Sequence, residues 1–334
     1  MEQQKFLNKK LPQSYEVQRN FDLHNINKIR LQNFPSIYDE HIYLPHILED
    51  HINDSYQNPL NHSFLISQGD KEILLCPVYT ESHRITHMDF PVKFFQSEEF
   101  LLDKNLSRII SLELKNIQVK SETKFIPVIL TPSLTKAFFY KIIGHDLYYR
   151  AQVDLNLSSE LLFKNLRKSF KSLVNWGKRN IDIKIISSEN INHNSFVEFK
   201  DFYEGVSGKK KAQSEWSSIK SQILNGTAFS VNGYIKNKLC SVSLFFVGEK
   251  EGYYGLGAYD KKLTEKKVPI SQWPMFAGII HLKKKMKNIV TLGVIYNSCQ
   301  DKKELDIFHF KLGFCTDVRQ ETVSLLNFLD GKLN

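Results

Sequence analysis

From residue 158 to residue 180 the apolar positions Phe163, Leu166, Phe170, Leu173 and Val174 recur three and four residues apart, which predicts one helix with a buried stripe. Ser158 or Ser159 supplies its cap, Glu160 places an acid at the positive end of the dipole, and Gly177 is expected to end it. "IDIKIIS" then reads as a strand, "NSFVEFKDFYEGV" as a helix capped by Asn194, and "SEWSSIKSQILNG" as a helix capped by Ser214 and stopped at Asn225 and Gly226. Three strands follow with tight turns between them, "TAFSVNGYI", "KLCSVSLFFVG" and "GYYGLGAY", so an antiparallel meander is expected. After it come a helix in "SQWPMFAGIIHLKKKMKN", helical at least from Met275, a short apolar strand "IVTLGVI", and a helix "KELDIFHFKLG" ending at Gly313.

The first 150 residues are less regular. "HSFLISQGDKEILLCPVY" predicts a hairpin turning at Gly69 and Asp70, "KFIPVILTPS" a strand broken by Pro127 and closed by Pro132, and "YYRAQVDLNL" a strand at a junction; "RIISLELKN" fits either a helix or a strand edge. A cut near residue 150 gives domains 1–150 and 151–334. The order of elements in the second half suits a mixed α/β domain and not a Rossmann domain, in which strands and helices would alternate throughout.

Length agrees with two domains, since 334 residues exceed the usual span of one core. A composition of 42% hydrophobic and 24% charged residues belongs to a folded chain. Cys76, Cys240, Cys299 and Cys315 are widely separated and form no CxxC pair, so they read as reduced, packed thiols. The opening "MEQQKFLNKKLPQSYE" has no apolar core and no apolar run reaches the length of a membrane span; a cytoplasmic location is the expectation. The net charge of +9 is unevenly placed. Residues 151–334 hold 28 Lys and Arg against 18 Asp and Glu, whereas residues 1–150 hold 17 against 18. That asymmetry points to an anionic ligand for the second half, such as a nucleotide, a coenzyme, a phosphorylated lipid or RNA, although it also serves solubility.

Five stretches, in order, carry a resemblance: "LRKSFKSLVNWGKRN", "FVEFKDFYEGVSGKK" followed by Trp216, "GYYGLGAYD", "PISQWPMF", and "IFHFKLGF", which is similar to an FKxGFG signature. Residues 150–316 resemble the FemAB family, aminoacyltransferases of peptidoglycan bridge formation, and their relatives in the GNAT superfamily. The resemblance implies an α/β (α+β) fold of two GNAT-like domains, with mixed, largely antiparallel sheets flanked by helices and an active groove between the domains. It implies transfer of an acyl or aminoacyl group to an amine, from aminoacyl-tRNA or acyl-CoA, with no firmly bound cofactor. It places Lys311 where the family has a lysine that neutralises phosphate and polarises the reacting carbonyl. Lys209 falls where members often have a Thr and Arg element for the acceptor's phosphates, but here the stretch reads "VSGKKK"; Cys315 replaces the second glycine of the signature.

Joining an activated ester or thioester to an amine requires a neutral nucleophile, an aligned donor and positive groups facing the developing oxyanion. Lys311 meets the last need, and a solvent-facing lysine on a terminal helix is the plainer reading. Arg167, Lys168 and Ser169 are candidates for substrate phosphate, while Lys164 and Lys171 suit a wet helix face. Tyr254 is the candidate for the proton transfer, and Tyr259 and Trp216 for substrate contact; aromatic packing is the alternative for the tyrosines. Gln272 fits a substrate contact and an ordinary cap equally. A coenzyme A loop with a leading Gln or Arg before its glycines is missing from "GYYGLGAY". The histidines at 41, 46 and 51 do not share a helical face, and His83 and His87 have no acid or cysteine beside them, so no metal site is expected; His309, near the signature, could serve as a base.

The expected protein is therefore a transferase that acylates or aminoacylates an amine on a cell-envelope precursor, a nucleotide- or lipid-linked amino sugar or peptide, with possible peripheral membrane contact. One rival is an acyl-CoA-dependent N-acyltransferase of a nucleotide sugar; another is a non-catalytic RNA-binding module, with tRNA as a partner, built on the basic half.

Overall fold

The structure, a computed structural model, describes residues 15–20, 59–81, 84–85, 92–97, 100–129, 141–208, 210–295 and 302–328. Two compact units divide between Leu147 and Tyr148, and the chain from Glu321 onward belongs with the first unit.

In the first unit, β1 (Tyr15–Arg19), β3 (Phe64–Gln68), β4 (Lys71–Cys76) and β7 (Phe95–Gln96) form one sheet in the order β1-β3-β4-β7, and β2 (Leu60–Asn61), β5 (Tyr79–Glu81) and β6 (Arg84–Ile85) form another. The β3–β4 hairpin turns at Gly69, whose φ of 57° suits glycine, as the sequence predicts. "RIISLELKN" lies in a helix, α1 (Lys104–Lys120), capped by Asp103, whose Oδ1 accepts from the Leu106 amide at 2.7 Å. Its stripe Leu106, Ile109, Ile110, Leu114 and Ile117 packs into one core with Phe64, Ile66 and Leu74 from the sheet. β8 (Ile126–Ile129) pairs antiparallel with residues 323–326.

The second unit is built on strands in the order β10-β11-β12-β13-β14-β9: β9 (Lys141–Asp154), β10 (Asp182–Ile186), β11 (Ala228–Ile235), β12 (Lys238–Val247), β13 (Glu251–Tyr259) and β14 (Ile289–Ile295). The meander β11–β12–β13 is antiparallel, as expected. The strand β15 (Asp317–Asn327) is an addition to the predicted order, since "DVRQETVSLLN" has too few apolar residues to announce itself.

The helix predicted from residue 158 is two helices. Ser158 caps α2 (Ser159–Asn165), the backbone turns extended at Leu166 and Arg167, and α3 (Lys168–Asn180) then starts afresh. Gly177 lies inside α3 instead of ending it, because a Cβ there would strike the Trp273 side chain. α4 (His193–Ser207) is capped by Asn192, two residues before the expected Asn194, in a reciprocal box with Ser195. α5 (Gln213–Leu224) follows Ala212 without a side-chain cap, so Ser214 does not cap it. α6 (Lys261–Glu265), α7 (Gln272–Lys284) and α8 (Lys302–Leu312) complete the unit. α3 and α7 bury Phe170, Val174, Met275 and Ile279 on one side of the sheet with Phe229, Val231 and Phe245; α4 and α5 bury Phe196, Phe199 and Trp216 on the other with Val242 and Leu244.

Candidate functional site

β13 and β14 pair in parallel, and they stay together only over three positions, with Tyr253 opposite Thr291 the last. Beyond Tyr253 the two strands part, β14 continuing beside β9 through an irregularity between Thr291 and Val294. Gly293 stands in that irregularity with φ of 100°, a conformation that side chains other than glycine's rarely accept. Lys311, near the end of α8, fills the space at Gly293: its Nζ lies 2.7 Å from where a Cβ on Gly293 would stand, and the Tyr253 hydroxyl lies 3.7 Å from the same point. The ammonium thus sits where the sheet opens, and burial draws its pKa down from 10.5 to about 8.

α8 is held in place by its glycine. A Cβ on Gly313 would run into the Phe170 ring, and the Gly313 carbonyl accepts from the Arg167 amide at 3.0 Å. Phe170, Phe310 and Phe314 pack together, with centroids 5.1–6.1 Å apart. The start of α3 and the end of α8 are therefore one packed corner, and Arg167, Lys168 and Ser169 stand exposed on it. The Arg167 guanidinium lies over the Phe170 ring, 5.5 Å from its centroid. Cys315, where the signature has glycine, is half-buried, with its thiol pKa raised by burial.

Tyr254 and Tyr259 are five residues apart and would face opposite ways in a regular strand. They meet because β13 bulges: Leu256 pairs with Leu244 and Tyr254 with Phe245, leaving Gly255 as the extra residue. A Cβ on Gly255 would enter the Phe246 ring, so the bulge needs glycine. The two phenols lie 3.1 Å apart over Gly257, and Tyr259 also packs on Phe310, 6.0 Å between centroids. Burial pushes both phenol pKa values up, so both are protonated at neutral pH and serve as hydrogen-bond donors instead of bases.

The other candidates fall elsewhere. Trp216 is a core residue at 1% exposure, its rings edge-on to Phe196, Phe199 and Tyr203 and its Nε1 donating to Glu204 at 2.7 Å; the substrate contact expected of it is corrected to packing. Gln272 opens α7 with its Oε1 buried and without a hydrogen-bond partner. His309 is exposed. Lys209 and Cys299 lie outside the described residues, as do His41, His46, His51, His83 and His87. Sequence reading missed Gly293 and preferred Tyr254 to its neighbour Tyr253; an isolated glycine inside the apolar strand "IVTLGVI" was the available signal. Two open clefts of the same unit, one between β10 and the start of α4 and one around Asp154 and Asp317, share no lining residue with the Lys311 group. Among the described residues no helix is long and apolar enough to cross a membrane.

No family model matches the chain, and no curated protein matches it in sequence. Solved structures share its fold. FemX superposes on 92% of this chain and 96% of its own, with a TM-score of 0.60 at 9% identity. A tandem GNAT protein from the clavulanic acid biosynthesis pathway covers 93% of this chain and 98% of its own, with a TM-score of 0.50 at 7% identity. A conserved protein of unknown function from Bacteroides thetaiotaomicron covers 79% of this chain and 86% of its own, with a TM-score of 0.52 at 7% identity. The fold is thus the FemX-like α/β arrangement of two GNAT-like domains, with mixed, largely antiparallel sheets.

Proposed function

We propose that the second unit transfers an acyl or aminoacyl group from an activated ester or thioester to an amine of a cell-envelope precursor. The observation that carries this reading is the placement of Lys311: a buried ammonium at the point where β13 and β14 part. A cation in that position stabilises negative charge building on a carbonyl oxygen, and partial removal from water strengthens its effect. In the step we envisage, the neutral acceptor amine attacks the donor carbonyl carbon while charge gathers on the oxygen facing Lys311. The C–O or C–S bond to the leaving group then breaks, and the proton lost by the amine ends on the departing alkoxide or thiolate. Tyr254 and Tyr259, protonated and paired, hold the donor by hydrogen bonds and do not remove the proton.

Arg167, Lys168 and Ser169 stand exposed at the start of α3, where helix amides and side-chain cations together favour phosphate. They would hold the phosphates of the donor or of a nucleotide- or lipid-linked acceptor. Aminoacyl-tRNA and acyl-CoA both satisfy this scheme, and a cytoplasmic location follows from either.

The reading is tested by offering the purified protein acetyl-CoA, an aminoacylated tRNA pool, UDP-linked amino sugars and a peptidoglycan nucleotide precursor, and following both thermal stabilisation and amide formation. Stabilisation by a donor and an acceptor, with product formed only when both are present, supports transfer. Salt-dependent tRNA binding with no product from any pair overturns it in favour of RNA binding alone.

A further inference from the structure

The face of the sheet covered by α3 and α7 carries polar groups that the chemistry above leaves unused. Ser241 and Ser243, on β12, are both 0% exposed, and neither hydroxyl has a hydrogen-bond partner of ordinary geometry. Strand pairing sets Ser241 opposite Tyr259 and Ser243 opposite Gly257. Both serines therefore share the side on which the Tyr254 and Tyr259 phenols meet above Gly257, and the Ser243 hydroxyl faces both phenols. The start of α7 approaches the same side: Pro274 lies 3.2 Å from the Cβ position at Gly233, where the Ser241 hydroxyl also points.

A buried hydroxyl without a partner costs stability, and alanine in either position would avoid that cost. Two such hydroxyls on the side of a phenol pair describe a hydrogen-bonding surface awaiting a complement. Every member of the group is uncharged: two serine hydroxyls and two phenols. A carboxylate or an ammonium placed among them would leave water without a counter-charge, whereas an alcohol or a carboxamide would find both donors and acceptors. The room is small, because a single added Cβ at Gly257 or Gly233 would already meet a tyrosine or serine oxygen. The group is linked to α8 through Tyr259, which packs on Phe310, the residue before Lys311, 6.0 Å between centroids.

We propose that Ser241, Ser243, Tyr254 and Tyr259 form the subsite that reads the transferred group, and that it selects a small acyl or aminoacyl group bearing a hydroxyl or carboxamide over its hydrocarbon counterpart. The assignment to a transferred group rests on the transferase reading; the polar subsite itself does not.

The test measures binding of L-serinamide and L-alaninamide, which differ by one hydroxyl, to the full chain and to its S241A/S243A variant, with Tyr254→Phe as a second variant. Melting temperatures are recorded for all three proteins. The wild type is expected to bind serinamide at least tenfold more tightly than alaninamide, and the ratio to fall toward one in both variants while they remain folded. A wild-type ratio near one overturns the proposal whatever the variants do. So does S241A/S243A that melts higher with its ratio unchanged, which would mark the serines as packing defects. Serinamide selection in a protein that forms no product with any donor keeps the subsite and overturns the transferase. Transfer that proceeds equally well with seryl and alanyl donors overturns the subsite and keeps the transferase.

Discussion

Lys311 and Gly293 occupy one space: the lysine's Nζ stands 2.7 Å from where a side chain on the glycine would begin, and the glycine's φ of 100° admits almost no other residue. The relationship ties a helix end to an irregularity in a strand, and through it a charge is set at the opening between β13 and β14.

Replacing Gly293 by alanine should therefore do more than strain the backbone. The new methyl displaces the ammonium, so turnover is expected to fall by about a hundredfold, the loss typical of a misplaced oxyanion donor. Stability is expected to drop by about 1–3 kcal/mol from the unfavourable φ. Steady-state rates alongside denaturant melts separate the two effects; full activity in the folded variant would show that Lys311 finds its place without the glycine.

Lys311 should also burden the fold. Its pKa is near 8 in the folded chain and 10.5 in the unfolded one, so below pH 8 both states are protonated and the buried charge destabilises the native state. Between about pH 8 and 10.5 the unfolded state binds the extra proton, and stability rises with pH across that window. The neutral variant Lys311→Met is expected to be about 1–3 kcal/mol more stable than wild type at pH 7, with one pKa unit worth about 1.4 kcal/mol as the upper scale. The advantage should shrink as pH rises through the same window, as melts at pH 7, 9 and 10.5 would show.

Trp216 yields the opposite prediction. With its ring among Phe196, Phe199 and Tyr203, Trp216→Ala is expected to cost about 3–5 kcal/mol and to leave KM of the folded fraction unchanged. A raised KM without loss of stability would return this residue to the site.

Much of the second unit was legible because its periodicities are local. The meander, the strand "IVTLGVI" and the helix ending at Gly313 are each announced by alternation, spacing or a stop residue. The expectations that fail depend on partners distant in sequence. Gly177 reads as a helix stop, yet it is the surface on which Trp273 packs, and nothing near residue 177 says so. Trp216 sits in a substrate-like position along the chain, but it turns inward from α5 onto the aromatic rings of α4. Tyr254 and Tyr259 meet through one bulged residue, Gly255, and strand alternation alone would have separated them. Gly293 carries no visible role until α8 brings Lys311 back across more than a dozen residues.

Transfer at this site requires Lys311 to act as a cation, and the pH dependence of amide formation tests that most directly when wild type and Lys311→Met are run side by side. The wild type should lose activity above an apparent pKa near 8, as the ammonium gives up its proton, and the folded Met variant should be at least a hundredfold slower below that pH with no such limb. Wild-type activity that instead climbs through pH 8, or a Met variant that keeps the wild-type rate, would contradict it.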